Sequence, residues 1–122
     1  PVLIITLPII LTNHNRGQNR HWGPTHKERK GLQEILFDQR REPFDFRVDL
    51  IITRVLAKGE SFFDADSIGR GNAKQLLDSL VALGWFHSDG QRWIRNCDFR
   101  QDASQRAERG SVRIEVYKVS DE

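Results

Sequence analysis

Ser61-Phe-Phe-Asp-Ala-Asp-Ser-Ile-Gly-Arg-Gly-Asn-Ala-Lys-Gln-Leu-Leu-Asp78 is the stretch on which the reading of this chain turns. It has the pattern of a strand end, a glycine loop and the start of a helix. Asp64 and Asp66 are two apart, and in an extended backbone residues i and i+2 project from the same face. Two carboxylates forced side by side repel and raise each other's pKa unless a cation sits between them. A hard, oxygen-loving cation such as Mg²⁺ answers that need, with Mn²⁺ as a substitute. Lys74 follows in the first turns of the expected helix, and Asp89 comes just past its end. Asp64, Asp66, Lys74 and Asp89 are therefore the expected catalytic set of a metal-dependent phosphodiester-cleaving site, with Asp64 and Asp66 as metal ligands and Asp89 as a third metal ligand or the group that orients the water.

Downstream of the acidic pair, Asn72 suits an N-cap, and Gln75 three residues later gives a capping-box-like pattern. Ala73, Leu76, Leu77, Leu80 and Val81 recur at helical spacing, which predicts a helix to about residue 83 with that stripe buried. Gly84 is the expected C-cap. Trp85 and Phe86 then return to the core, and residues 87–90 form a turn. Residues 93–100 read as a strand, 101–110 as a polar, mobile hairpin loop, and 111–119 as a closing strand with Val112, Ile114 and Val116 inward.

Upstream, residues 44–55 alternate, with Phe44, Phe46, Val48, Leu50 and Ile52 on one face, and predict the clearest strand of the chain. Residues 56–61 form a short connection turned by Gly59. Residues 24–41 read as a helix, started by Pro24 and carrying Leu32, Ile35 and Leu36 as a narrow apolar stripe. Residues 12–23 form a polar loop, and residues 2–7 a β-rich, almost continuously apolar strand ended by Pro8. The predicted architecture is a single α+β domain over residues 1–122, a mixed β-sheet with two main helices in the order β-α-β-α-β-β.

Composition sets the frame for these motifs. The 122 residues suffice for one domain with a modest core. No run of eighteen apolar residues occurs, so no membrane span is expected. Residues 1–11 lack a basic leader and a small-residue cleavage site, and read as a strand rather than a signal peptide. The start at Pro1 leads us to expect processing or trimming. A lone Cys97 offers neither an internal disulfide nor zinc-type spacing, and suits a reducing, cytoplasmic setting. His14, His21, His26 and His87 show no ligand pattern for zinc. Net charge is +2 with a pI near 9.1. Neutralising three aspartates with metal would leave a more basic remainder, able to grip phosphates around an acidic centre or simply to form a mixed solvated surface.

Phosphodiester cleavage requires an activated water, stabilisation of charge on the phosphoryl oxygens and help for the leaving oxygen, and a bound divalent metal can supply all three. Lys74 would contact the scissile phosphate or the attacking hydroxide. Gly69 and Gly71 allow close backbone approach. Asn13, Asn15, Arg16 and Arg20 in the polar loop, Lys27 on the first helix and Arg70 in the glycine loop form the expected DNA-binding set. The same residues admit a second reading. Asp66 can cap a helix, Lys74 can pair with Asp78 four residues on, and Asp89 suits a turn.

Over most of its length the chain resembles the RusA-like Holliday junction resolvases. Ile5-Thr6-Leu7-Pro8 followed by Thr12-Asn13-His14-Asn15-Arg16 is similar to that family's N-terminal strand and loop. Asp64-Ala-Asp66 resembles its Asp-x-Asp metal motif, and Lys74 in Lys74-Gln-Leu-Leu-Asp78 falls where the family has its catalytic lysine. Leu83-Gly-Trp-Phe-His-Ser-Asp89 resembles the segment that ends in the third catalytic aspartate, and Ile114-Glu-Val116 the closing strand. The interval from Asp66 to Lys74 is longer than in the best-known member, and the extra residues coincide with the glycine-containing residues 67–71. At the third aspartate Ser88 stands where a member can carry a second acid, which leaves Asp89 alone there. The resemblance implies a Mg²⁺-dependent endonuclease that acts on branched DNA as a homodimer. A two-fold enzyme matches the two strands to be nicked in a four-way junction.

Overall fold

The structure is a computed structural model that describes residues 1–9, 34, 36–62 and 72–120, with side chains from residue 76 onward in the helix. Its elements are β1 (Leu3–Leu7), a 3-10 turn (Phe37–Gln39), β2 (Val48–Ala57), α1 (Asn72–Ala82), β3 (Ile94–Ala107) and β4 (Ser111–Lys118). The four strands form one mixed sheet in the order β1-β4-β2-β3. β4 runs antiparallel to both β1 and β2, whereas β2 and β3 are parallel. Parallel neighbours need a crossover, and α1 supplies it.

This arrangement corrects the predicted order β-α-β-α-β-β with two main helices: among the described residues the order is β-β-α-β-β, with one helix of 11 residues. The helix expected over residues 24–41 lies largely outside the described residues. At its described end Glu34 and Leu36 are helical, the short 3-10 turn follows, and Arg40 has already turned extended (φ −63°, ψ 145°). The physical reason is local. Leu36 is fully buried but Phe37 is exposed, so the apolar stripe stops there, and Pro43 disfavours helical geometry in the residue before it. A second correction concerns residues 101–110, expected as a mobile loop. β3 continues to Ala107, paired with β2 from Val48↔Ile94 to Ala57↔Ala107, and only residues 108–110 link it to β4.

The core lies on one side of the sheet. Val48, Leu50, Ile52 and Leu56 of β2 and Val112, Ile114 and Val116 of β4 are fully buried, as the alternation predicts. Leu76, Leu77 and Leu80 of α1 pack onto them, with Trp85, Phe86, Phe44 and Leu36 closing the layer. α1 ends in a Schellman motif: Gly84 N–H donates to the Val81 carbonyl (3.1 Å) and Trp85 N–H to that of Leu80 (3.0 Å), with Gly84 at φ +90°. A Cβ on Gly84 would stand 2.9 Å from the Arg41 carbonyl oxygen. Among the described residues no helix is long and apolar enough to cross a membrane.

The other side of the sheet carries charge. Asp49 takes a two-pronged ion pair from Arg95, while Arg113 reaches both Asp102 and Glu115, and the Tyr117 hydroxyl donates to Glu115. Beside them a cleft of about 480 Å³ is lined by Asp49, Ile51, Asn96, Asp98, Arg100 and Tyr117.

Candidate catalytic site

The strand that precedes the acidic pair ends close to where its sequence suggests. β2 stops at Ala57, the chain turns at Lys58 and Gly59 (φ +82°), and residues 60–62 are not in a strand. The turn falls within the connection expected over residues 56–61; the strand end expected from Ser61 onward is not seen at residues 61 and 62, and its remainder lies outside the described residues. A polar clamp holds the turn. The Glu60 carboxylate accepts the Ala57 N–H (2.5 Å) and pairs with Arg54 (3.1 Å), so a strand-continuing N–H is diverted to a side chain.

Asp64 and Asp66 lie outside the described residues, as do Asn13, Asn15, Arg16, Arg20, Lys27 and Arg70. Lys74 belongs to the first turn of α1 by its backbone, and its side chain is not described. Asp89 is described. It is exposed in the connection from the C-terminus of α1 to the start of β3. In that connection Gly90 N–H donates to Ser88 Oγ (3.2 Å), and Trp93 N–H and Ile94 N–H both donate to the Gly90 carbonyl (3.0 Å). Arg47 steadies it from the residue before β2, donating to the Gln91 carbonyl (2.7 Å) and side chain (3.1 Å).

Lys74 and Asp89 thus belong to opposite ends of α1. Eight residues of helix separate Lys74 from Ala82, and at 1.5 Å per residue this is about 12 Å along the axis. A single centre that uses both needs the residues between Phe62 and Asn72 to bring their carboxylates back alongside the helix. Among the described residues no group of three or more His, Cys, Asp or Glu side chains is placed to hold a metal ion, and Asp64 and Asp66 are not part of that set.

Four residues outside every motif named above form the best-defined polar cluster at the carboxyl end of β2: Arg54, Glu60, Gln101 and Arg106. Arg54 Nη1 donates to the Ser61 carbonyl and to Gln101 Oε1, both at 3.0 Å. Arg106 Nη1 donates to the carbonyls of Ala57 (2.8 Å) and Glu60 (2.7 Å). One signal was in the sequence. Arg54 continues the parity of Val48, Leu50 and Ile52, so alternation alone puts a charged residue on the apolar face.

On the open face three carboxylates sit below their usual pKa range. The Arg95 hydrogen bond lowers Asp49. Hydrogen bonds from Ser104 lower Asp102, with Arg113 adding to the effect, and the Tyr117 hydroxyl lowers Glu115. Tyr117 is raised in return, since its proton is held by the Glu115 carboxylate. Each of these three carboxylates is engaged by donors of the same chain, which makes them closed ion pairs rather than an open cation site.

Compared with known proteins, the sequence matches no protein-family description, and no curated protein matches it.

Proposed function

We propose that this chain is a Mg²⁺-dependent, structure-specific endodeoxyribonuclease that resolves four-way DNA junctions in recombination and repair, working as a cytoplasmic homodimer. The observation that carries the reading is the order of chemistry along one crossover unit: Asp64 and Asp66 before α1, Lys74 in its first turn, and Asp89 just after its glycine cap. The donor set is all oxygen, which suits Mg²⁺ or Mn²⁺ and not a thiol-seeking metal. Asp64, Asp66 and Asp89 would hold the ion, which activates water and stabilises the phosphoryl charge when bound. Lys74 would neutralise the scissile phosphate. Asn13, Asn15, Arg16, Arg20, Lys27 and Arg70 would position the DNA through its backbone, without reading sequence.

The test is nicking of a synthetic four-way junction across Mg²⁺ and Mn²⁺ titrations, with Asp66→Asn as the control. Metal-dependent nicking that Asp66→Asn abolishes while junction binding persists supports the reading. Intact junctions at every metal concentration refute it.

A second reading is a branched-DNA-binding domain without catalysis. The separation of Lys74 from Asp89 by the length of α1 favours it. Its signature is junction binding that weakens steeply with salt and shows no metal requirement.

A further inference from the structure

Arg54 breaks the pattern of the face it belongs to. It stands between Ile52 and Leu56 on the core side of β2 and is 4% exposed. A guanidinium withdrawn from water is costly unless its donors are met, and an apolar residue in such a place is often no less stable. Stability alone therefore does not call for arginine here. What the arginine does is bind three partners at once, two on the segment after β2 and one on β3: Glu60 (3.1 Å), the Ser61 carbonyl (3.0 Å) and Gln101 (3.0 Å). Glu60 turns its other oxygen to the Ala57 N–H (2.5 Å), and Arg106 holds the carbonyls of Ala57 and Glu60. The link from β3 to β4 closes over this cluster. A Cβ on Gly110 would lie 3.1 Å from Glu60 Oε1 and 3.4 Å from the Val55 carbonyl oxygen.

These bonds converge on the main chain of residues 57–61. Asp64 is three residues past Ser61, at most about 11 Å of extended chain. We infer that Arg54 is a positioning residue: with Glu60, Gln101 and Arg106 it fixes the point and direction in which the chain leaves the sheet toward Asp64 and Asp66. The clamp is a feature of the described residues, and its consequence for metal binding rests on the nuclease reading above. Outer groups that orient metal ligands commonly change metal affinity by about 10–100-fold when removed.

The experiment compares wild type with Arg54→Met, which keeps volume but not charge, and Arg54→Lys, which keeps charge but not the fork. Three measurements are made: amide hydrogen exchange over residues 57–62, Mg²⁺ half-saturation for junction nicking, and circular dichroism to confirm the fold. The expected result is faster exchange over residues 57–62 in Arg54→Met with the rest of the sheet unchanged, half-saturation raised about tenfold and partly restored in Arg54→Lys. A folded Arg54→Met with wild-type exchange over this segment overturns the clamp. Altered exchange with an unchanged Mg²⁺ requirement overturns its role in the metal site. Should the wild type nick nothing, the nuclease reading and the metal role fall together, and the exchange data alone decide the clamp. Should Arg54→Met fail to fold, Glu60→Gln weakens the same clamp from its more exposed side. The same three measurements on that variant then decide: wild-type exchange overturns the clamp, and an unchanged Mg²⁺ requirement overturns the metal role.

Discussion

The indole Nε1 of Trp85 donates to the main-chain oxygen of Gln39 at 2.6 Å, while the carbonyl of Trp85 accepts from Phe44 N–H at 3.2 Å. One residue, placed immediately after the helix cap and 1% exposed, therefore stitches two points of the segment that precedes β2. Phe86 extends the same seam by stacking on Phe44, with ring centroids 5.8 Å apart.

Trp85→Phe keeps most of the apolar volume and removes the donor, leaving the Gln39 carbonyl without it. The expected loss is about 1–3 kcal/mol by urea denaturation. Trp85→Ala adds a cavity and should lose about 3–5 kcal/mol. A Trp85→Phe variant as stable as wild type would show that the hydrogen bond contributes nothing.

Gly84 and Gly59 both have positive φ, but their surroundings differ. Alanine at either carries the left-handed strain of about 1–2 kcal/mol. At Gly84 the added Cβ also meets the Arg41 carbonyl oxygen at 2.9 Å, whereas at Gly59 nothing lies within 4 Å. Gly84→Ala should therefore be the more damaging in paired denaturation curves. The reverse ranking would refute the close approach.

α1 and β2 are legible in the sequence because burial acts on them from one side only. Leu76, Leu77 and Leu80 repeat at helical spacing, and Val48, Leu50 and Ile52 alternate, so the periodicity is that of the core itself. β3 reads too short for the opposite reason. It is an edge strand, and beyond Phe99 its residues are polar apart from Ala103 and Ala107, so its extension is dictated by β2 rather than by its own side chains. The strand order is invisible because no short turn links two neighbours in the sheet. At the candidate site, residue types and spacing suggest a chemistry, and Gly59 announces the turn, but nothing in them announces the clamp that Arg54 and Glu60 add to it. That clamp depends on Gln101 and Arg106, which reach it only through the fold.

Ser79 lies on the core face of α1, 1% exposed, and its Oγ has no hydrogen-bond partner among the described residues. A buried hydroxyl left in that state costs free energy that alanine does not incur. Ser79→Ala should leave stability unchanged or raise it by up to about 1 kcal/mol. A clear loss of stability would reveal a bond to the hydroxyl.

Acid should destabilise the open face first. Asp49, Asp102 and Glu115 have folded-state pKa values depressed below their ordinary ones. A depressed carboxylate contributes stability that is present above its unfolded pKa, roughly pH 4, and is lost as pH falls through the folded value. Urea midpoints should therefore decline from about pH 4 downward. Glu115→Gln should flatten that decline, and an unaltered slope would contradict the assignment.

Asp89→Asn separates a metal ligand from a turn residue. Because Asp89 is exposed and asparagine keeps its size and a side-chain carbonyl acceptor, the substitution should shift stability by less than about 1 kcal/mol. If Asp89 binds the metal, junction nicking at limiting Mg²⁺ should fall by about 100-fold. Wild-type nicking by the variant would exclude Asp89 from the site.

The order β1-β4-β2-β3 also governs how this chain comes into being. Among the described strands the first in sequence pairs with the last: Leu3 lies opposite Val116, and Leu7 opposite Val112. Among the described strands no hairpin joins sheet neighbours to act as a nucleus, and β4 must slide between β1 and β2 to finish the sheet. Until β4 is made, then, Leu3-Ile-Ile-Thr-Leu7 waits as an uncharged, β-prone ribbon without its partner strand. Such a ribbon is an invitation to cross-molecule pairing. The sequence distance between those two strands therefore predicts a refolding yield that falls as protein concentration rises.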